Sequence, residues 1–458
     1  MGRTCPKCGR SVVDTSLRFY AEGKVLCSYC ALVAELGSVL LGIGLKSMCD
    51  SMNISEDDLK LGLRQNHGLH RLIRAYIQGV AHFGASIPQP PMVPIMAIWS
   101  ITKRCNLSCP HCCADAEKRR TDEMTFDEAC KVVDKLGRAG VVALGITGGE
   151  PLCRSDLIQI LRYARMRGLI LFLATNGTMV SREKALELRD AGVDYVLISL
   201  DGASSHTHDK IRDAPGSYDL AVAGIKNCVE AGLYVNVASV ATKLNLEELL
   251  DVLEVARSLG AKSFQVLDLI EVGRAARLRH LTLSPDERKV LAERLARRWR
   301  EIVDSGVPFK CSYEWPGFTR VVLEVFDSAS KSPFGTVNLP FSPAHVGLAR
   351  VIREGCIAGS DPYFPFVVGC EAGLYSLYIS DRGYVMPCPY LPIRLGDIRT
   401  DDIGMIWLQS KVLSEIRNRS RLKGRCSTCK VRDVCGGCRA RAFLCLKDHN
   451  AHDVGCPF

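Results

Sequence analysis

At 458 residues the chain is long enough for two or three domains, one of which could be a full barrel. Its 47% hydrophobic and 24% charged residues exclude a disordered chain, and its 22 cysteines, with no secretory leader ahead of them, read as thiolate ligands in a reducing cytoplasm rather than as disulfides. The net charge of +9 favours acidic partners or a solvated basic surface, and no basic-plus-aromatic pattern argues for nucleic acid.

Residues 1–36 hold two knuckles, Cys5-Pro-Lys-Cys8 and Cys27-Ser-Tyr-Cys30. Two such pairs at this separation predict one tetrahedral site for zinc or a mononuclear, rubredoxin-type iron. Residues 12–25 read as a hairpin with Glu22-Gly23 at its turn, and the second knuckle opens into a helix at Ala31. The metal can replace a core too small to stand alone, or serve electron transfer or substrate recognition. The longest apolar run, 31–45, carries Glu35 and is too short to span a bilayer.

Residues 37–94 form a helical region and a Pro-rich linker. Ser55-Glu-Asp-Asp58 resembles a capping box, and apolar residues from Leu59 to Phe83 keep helical spacing. His67 and His70 have no acidic or cysteine neighbour in the local sequence and read as surface residues. The prolines of 87–94 end the helix and mark a boundary.

From 95 to 306 the pattern alternates strand and helix six times, with strands at 95–102, 141–147, 169–175, 193–200, 233–240 and 262–270. Thr125, Asn245 and Ser284, each with Glu three residues on, are helix-start signals. Such a series predicts a parallel sheet covered by helices, either doubly wound or a partial (β/α)6 barrel. The motifs at successive strand ends favour the barrel, whose site lies at the C-terminal face. Residues 307–369 read as a bridging segment that covers an apolar substrate or packs two domains together, and 370–458 as a cysteine-rich domain with a hairpin turning at Asp381-Arg-Gly383.

Directly after the first strand stand Cys105, Cys109 and Cys112. Three thiolates on one tight loop leave a four-iron cluster one ligand short, so one iron can coordinate something else. A structural zinc knuckle is the alternative. Gly148-Gly149-Glu150-Pro151 follows the second strand, Thr175-Asn176-Gly177 the third, and Ser199-Leu-Asp201-Gly202 the fourth. Glycines admit close approach of backbone to a ligand, and a carboxylate beside them can accept from an ammonium group. Asp201 can also be a helix cap. Arg212 has the planar fork that pairs with a carboxylate, or it is a surface residue. Farther on come Cys370, Gly383, Cys388, the quartet Cys426, Cys429, Cys435 and Cys438, and finally Cys456.

The CxxxCxxC loop resembles the signature of the radical SAM superfamily, and the seven later cysteines resemble the SPASM domain. The resemblance implies a partial (β/α)6 radical SAM barrel between a four-cysteine metal/helical module and a SPASM-type iron–sulfur domain. It implies that Cys105, Cys109 and Cys112 hold a cluster whose open iron chelates S-adenosylmethionine (SAM), cleaved reductively to a 5′-deoxyadenosyl radical. Gly148, Gly149, Glu150, Asn176, Ser199 and Arg212 would hold SAM. Cys370, Cys388 and Cys438 would serve one auxiliary cluster; Cys426, Cys429, Cys435 and Cys456 would serve a second, making three [4Fe-4S] clusters in all. The first auxiliary set lacks a fourth cysteine, for which Cys356, Cys445, a carboxylate or substrate remain. A low-potential donor such as ferredoxin or flavodoxin is implied. So is an oxygen-sensitive, cytoplasmic oxidoreductase or maturase acting on a peptide, tetrapyrrole, lipid or other small molecule. Cys435-Gly-Gly-Cys-Arg-Ala-Arg-Ala-Phe443 resembles a segment of enzymes of alternative heme and heme d biosynthesis. Sulfatase-maturing relatives carry a catalytic Asp after the hairpin cysteine, where this chain has Pro389. A non-catalytic iron–sulfur carrier or zinc-ribbon adaptor is the rival reading, and a lipid-modifying enzyme with an extra metal module another. The basic stretches at 274–279 and 417–425 read as solvated helix faces or as anion sites, and the remaining cysteines as packing, with Cys113 beside the loop the exception to watch.

Overall fold

The computed structural model describes residues 3–4, 11–12, 19–21, 24–26, 67–84, 86, 88–116, 123–327 and 369–458. The four cysteines of the N-terminal knuckles, the 55–58 signal, Cys49, Cys356 and most of the bridging segment lie outside them. Near the N-terminus β1 (Arg3–Thr4) pairs with β2 (Ser11–Val12), and β3 (Phe19–Ala21) with β4 (Lys24–Leu26), the latter two flanking Glu22-Gly23.

The main sheet has ten strands among the described residues. β5 (Met96–Thr102), β6 (Ala143–Gly148), β7 (Ile170–Thr175), β8 (Tyr195–Ser199), β9 (Tyr234–Ala241) and β10 (Ser263–Asp268) lie side by side in chain order, all parallel. These are the six strands expected from the sequence. Their residues are buried almost throughout, which is why they read as apolar runs without alternation. The helices between them are α2 (Phe126–Ala139), α3 (Leu157–Met166), α4 (Arg182–Asp190), α5 (Ser205–Arg212), α6 (Ser217–Glu230) and α7 (Leu249–Ser258), after α1 (His67–Phe83). α8 (Pro285–Asp304) follows β10.

Two of the three helix-start signals act as such. Thr125 and Ser284 each accept from the backbone of a Glu three residues on, whose side chain accepts in return. Asn245 does not. Its Oδ1 accepts from Thr242 N, while its Nδ2 donates to the carbonyls of Asp201 and Val240 and so ties β8 to β9; α7 begins four residues later, after a 3-10 turn. The side chain found strand-end backbone to bond, which a local pattern cannot foresee.

The segment read as a bridge opens with a seventh parallel strand, β11 (Lys310–Tyr313), on the β10 edge, followed by α9 (Phe318–Asp327). Four residues that alternate between half-buried and buried give too short a signal to stand out in sequence. At the opposite edge β12 (Ser376–Ile379) runs parallel to β5, and β13 (Tyr384–Met386) and β14 (Gly396–Asp397) continue antiparallel. The hairpin turns at Gly383, whose φ is +84°, as expected. The C-terminal cysteine-rich part therefore shares the barrel's own sheet. It continues as α10 (Ile403–Gln409), α11 (Lys411–Arg417), α12 (Arg432–Cys435) and α13 (Arg439–Leu446). Lys135 of α2 donates to the carbonyls of Ile398, Arg399 and Asp401, and Trp407 Nε1 to that of Pro91 in the linker. α1 reaches both parts: Arg71 donates to the Val141 and Arg167 carbonyls, and Tyr76 lies 6.1 Å from Tyr375, ring to ring.

Candidate functional site

Parallel strands deliver their C-terminal ends to one edge, and the candidate residues lie there. β5 ends in a register irregularity between Ser100 and Thr102, from which the cysteine loop departs. The loop is fastened at both ends. Arg104 makes a two-pronged pair with Glu123 (3.1 and 2.9 Å), and Arg274 donates to the carbonyls of Cys109 (2.9 Å) and Ala116 (2.6 Å). Burial pushes the Cys105 thiol up to about 11, and Leu107 N, which points at its Sγ at 3.4 Å, acts in the opposite sense. Arg274 opens one of the two basic stretches; it is a strut of this loop and not part of a solvated face.

The glycine pair after β6 is clamped against the same loop. Gly149 N donates to Thr102 O and Glu150 N to Arg104 O, both at 2.7 Å. Gly148 has φ +152°, and a Cβ there would overlap Thr102 O, so the approach requires glycine. Glu150 is fully buried; it accepts from Leu152 N (3.1 Å), Thr175 Oγ1 (2.8 Å) and Asn176 N (2.7 Å), joining the ends of β6 and β7. Burial pushes its carboxyl up, and these three donors work against that. Asn176 Nδ2 donates to Asn106 Oδ1 at 2.8 Å, linking β7 to the cysteine loop. Ser199 stands half-buried at the end of β8.

Arg212 is neither on the surface nor unengaged. It lies 2.9 Å from Asp201 Oδ2, and both are buried. Asp201 is not a helix cap: its Oδ1 accepts from Val240 N, and its own N–H donates to His208 Nδ1. His111, inside the cysteine loop, lies 3.4 Å from Asp201 Oδ2. Burial is the largest influence on Asp201 and opposes its charge, yet Arg212 and the two histidines bring its carboxyl below the ordinary range. Burial, then Arg212, lowers His208 to about 4, so it is neutral at pH 7. This His111–Asp201–Arg212–His208 cluster was only partly legible: the SLDG and HDxxR motifs were visible, their joining to His111 was not.

Inside the barrel lies a cavity of about 300 Å³. Gly148, Phe172, Leu197 and Leu267 contribute to its apolar wall, while Cys370, Cys388 and Cys438 face it from the C-terminal part. Cys113, Glu314, Tyr378 and Tyr390 share that space. Glu314 is a residue that sequence reading missed, since it follows the unforeseen β11. Its Oε1 accepts from Gln265 Nε2 (2.6 Å), and Gln265 Oε1 accepts from Asn236 Nδ2 (2.8 Å). Burial pushes its carboxyl up, with Gln265 acting in the opposite sense. Cys445, one candidate for completing the first auxiliary set, is exposed and does not line the cavity. Cys113 does, while Cys228 and Cys311 are buried as packing residues.

A second void, of about 30 Å³, is lined by Cys426, Cys429, Cys435 and Cys456 together. Asp453 N points at Cys426 Sγ and Arg441 N at Cys438 Sγ, each at 3.4 Å. Cys370, Cys388 and Cys438 thus line one cavity, and Cys426, Cys429, Cys435 and Cys456 another. A void walled by four thiols offers the four thiolate donors that a four-iron cluster takes.

A parallel α/β barrel with thiols gathered at its C-terminal face, joined edge-on to a cysteine-rich domain, defines an iron–sulfur enzyme class. Residues 99–258 match the model of the radical SAM superfamily, and 370–430 that of an iron–sulfur cluster-binding domain, SPASM. An AdoMet-dependent heme synthase of Methanosarcina barkeri is 32% identical over 80% of this chain and 97% of its own length. A pre-heme d1 synthase of Dinoroseobacter shibae is 30% identical over 81% of this chain and 89% of its own. Among solved structures, Streptococcus suis SuiB bound to S-adenosylmethionine matches with a TM-score of 0.64 at 15% identity, covering 94% of this chain and 89% of that one, a likeness of fold. The chain belongs to the radical SAM superfamily, in its SPASM class, and is an enzyme. That removes the non-catalytic carrier and adaptor readings. No helix among the described residues is long and apolar enough to cross a membrane.

Proposed function

We propose that this enzyme oxidatively modifies a carboxylate-bearing tetrapyrrole inside the barrel cavity. Cys105, Cys109 and Cys112 hold the reducing cluster; Gly148, Gly149, Glu150, Asn176, Ser199 and Arg212 surround SAM. Glu150 and Arg212 reach SAM as members of their hydrogen-bonded clusters, not as isolated side chains. Cys370, Cys388 and Cys438 hold the first auxiliary cluster, Cys426, Cys429, Cys435 and Cys456 the second, and Cys5, Cys8, Cys27 and Cys30 one zinc or iron. When bound, the cluster and SAM together supply hydrogen-atom abstraction from an unactivated C–H bond. A ferredoxin or flavodoxin supplies the low-potential electron, in the cytoplasm.

The observation that carries this reading is the cavity, which runs from the strand end at Gly148 to the thiols of Cys370, Cys388 and Cys438. Its apolar walls suit a flat macrocycle. Among its polar groups, burial raises the hydroxyl pKa values of Tyr195, Tyr378 and Tyr390 and the carboxyl pKa of Glu314, which favours their protonated, hydrogen-bond-donating forms. Glu314, with Oε1 committed to Gln265, presents Oε2 to an acidic group of the substrate. The CGGCRARAF segment and the tetrapyrrole names of the relatives point the same way. A precursor peptide is the second reading, supported by the likeness of fold to SuiB bound to its precursor peptide.

The test is anaerobic turnover of the reconstituted, reduced protein. It should form 5′-deoxyadenosine from SAM, and the Cys105→Ala, Cys109→Ala, Cys112→Ala variant should form none while keeping auxiliary iron. Tetrapyrrole carboxylic acids should be modified, detected by product mass. Wild-type-level cleavage by the triple variant would sink the cluster assignment; modification of peptides alone would move the substrate to the second reading.

A further inference from the structure

Four arginines between the barrel and the C-terminal cysteines are almost closed to water: Arg288 (2% exposed), Arg419 (3%), Arg439 (0%) and Arg441 (7%). Two of them have carboxylates. Asp268 joins Arg288 at 3.0 Å and also Arg441, and Asp453 joins Arg441 at 2.9 Å. Arg419 and Arg439 form no ion pair among the described residues. Arg419 Nη2 donates to Cys370 O at 2.8 Å, and Arg439 to the carbonyls of Gly437, His449 and Ala451. Nε and Nη1 of Arg419 and Nη2 of Arg439 meet no acceptor among the described residues. Among the described residues, four buried cations against Asp268 and Asp453 leave two positive charges uncompensated, and burying an unpaired ion is costly.

The local sequence is built to admit these two guanidiniums. Gly436 has φ +69°, and a Cβ there would overlap the Arg419 guanidinium. A Cβ at Gly437 would lie 2.7 Å from Arg439 Nη2 and 3.3 Å from Cys426 Sγ. The two glycines between Cys435 and Cys438 are thus the points at which the arginines press against the thiol loop. Burial lowers the Arg419 pKa, while the neighbouring Cys370 and Cys435 thiols act to raise it. Those two cysteines belong to different sets, so Arg419 stands between both.

We propose that Arg419, with Arg439 behind it, is the counter-charge of the auxiliary clusters and raises their reduction potentials. This rests on the assignment of Cys370, Cys388, Cys438, Cys426, Cys429, Cys435 and Cys456 to two clusters. An oxidised four-iron cluster with four thiolates carries two negative charges, and its reduction adds a third. A buried cation nearby favours the more negative, reduced form. Arg419 is a positioning residue in this sense: it touches no substrate, and it acts through the clusters.

The test is an anaerobic redox titration of the holoenzyme, followed by electron paramagnetic resonance, with Arg419→Gln and Arg419→Lys beside the wild type. Arg419→Gln should move an auxiliary midpoint to more negative potential, leave the SAM-binding cluster's midpoint in place and keep full iron. Arg419→Lys should return most of the shift. A fully loaded Arg419→Gln whose auxiliary midpoints coincide with wild type overturns the proposal. If Arg419→Gln loses auxiliary iron, Arg419→Lys decides: retained iron supports a need for charge, equal loss overturns it. Failure of the cluster assignment is a separate result, seen as the absence of auxiliary signals in the wild type.

Discussion

The two thiol-rich regions of this enzyme answer the same electrostatic problem in opposite ways. Around the barrel loop every buried charge described above has a partner: Arg212 meets Asp201, and Glu150 accepts three hydrogen bonds. Around the C-terminal cysteines two guanidiniums are buried with carbonyls alone. The barrel loop therefore sits in surroundings close to neutral or acidic, and the later cysteines in a basic pocket. On the cluster assignment proposed above, a cluster that must reduce SAM gains from the first setting, and one that takes up electrons from the second. One fold separates the two by placing them on different elements of a shared sheet.

The largest expected effect breaks the neutral side of this contrast. Arg212→Leu leaves Asp201 buried without its guanidinium and should cost about 3–5 kcal/mol of stability in urea unfolding. Adding Asp201→Asn should recover part of it; additive losses would show that the pair is not the unit. Next comes the cavity that lies between the regions. Glu314→Ala should raise the KM for a carboxylate-bearing substrate by roughly 10- to 100-fold, the worth of one hydrogen bond to a charged group, while the variant still cleaves SAM. Equal loss of SAM cleavage would place Glu314 in the barrel machinery instead.

A third prediction concerns pH. His208 is held neutral, with its folded value near 4 against an ordinary 6.5. As pH falls below 6.5 the unfolded chain takes up a proton that the folded chain refuses, so stability should drop until pH reaches about 4 and level off below it. Between pH 6.5 and 5 the loss should be on the order of 2 kcal/mol from this residue. Unfolding of His208→Gln across that range should lack this component; an unchanged slope would remove His208 as its source. The smallest effect is at the seam of the two regions, where Lys135 holds three carbonyls of the C-terminal part. Lys135→Ala should cost about 1 kcal/mol, read by thermal unfolding, and should leave both kinds of cluster in place.

Much of this was legible from local pattern. Apolar runs bounded by turns located six strands, because a strand buried on both faces must be apolar throughout. Cysteine spacing singled out the loop after the first strand and the cysteines that line the two C-terminal voids, because thiols at short, fixed intervals stand out in a sequence. The glycines at 148 and 149 and the boxes at Thr125 and Ser284 were equally local. Tertiary structure alone decided what each polar side chain meets. Arg212, read as a surface residue or clamp, is buried against Asp201; Arg274 and Arg419, read in basic stretches, are a strut and a buried cation. Asn245 bonds strand ends instead of capping a helix. β11, and with it Glu314, became visible only through pairing with β10. The physical reason is one of range. Backbone periodicity and ligand spacing are set by neighbours along the chain, whereas the partner of a charge or an amide comes from strands and helices far away in sequence, and only packing brings it near.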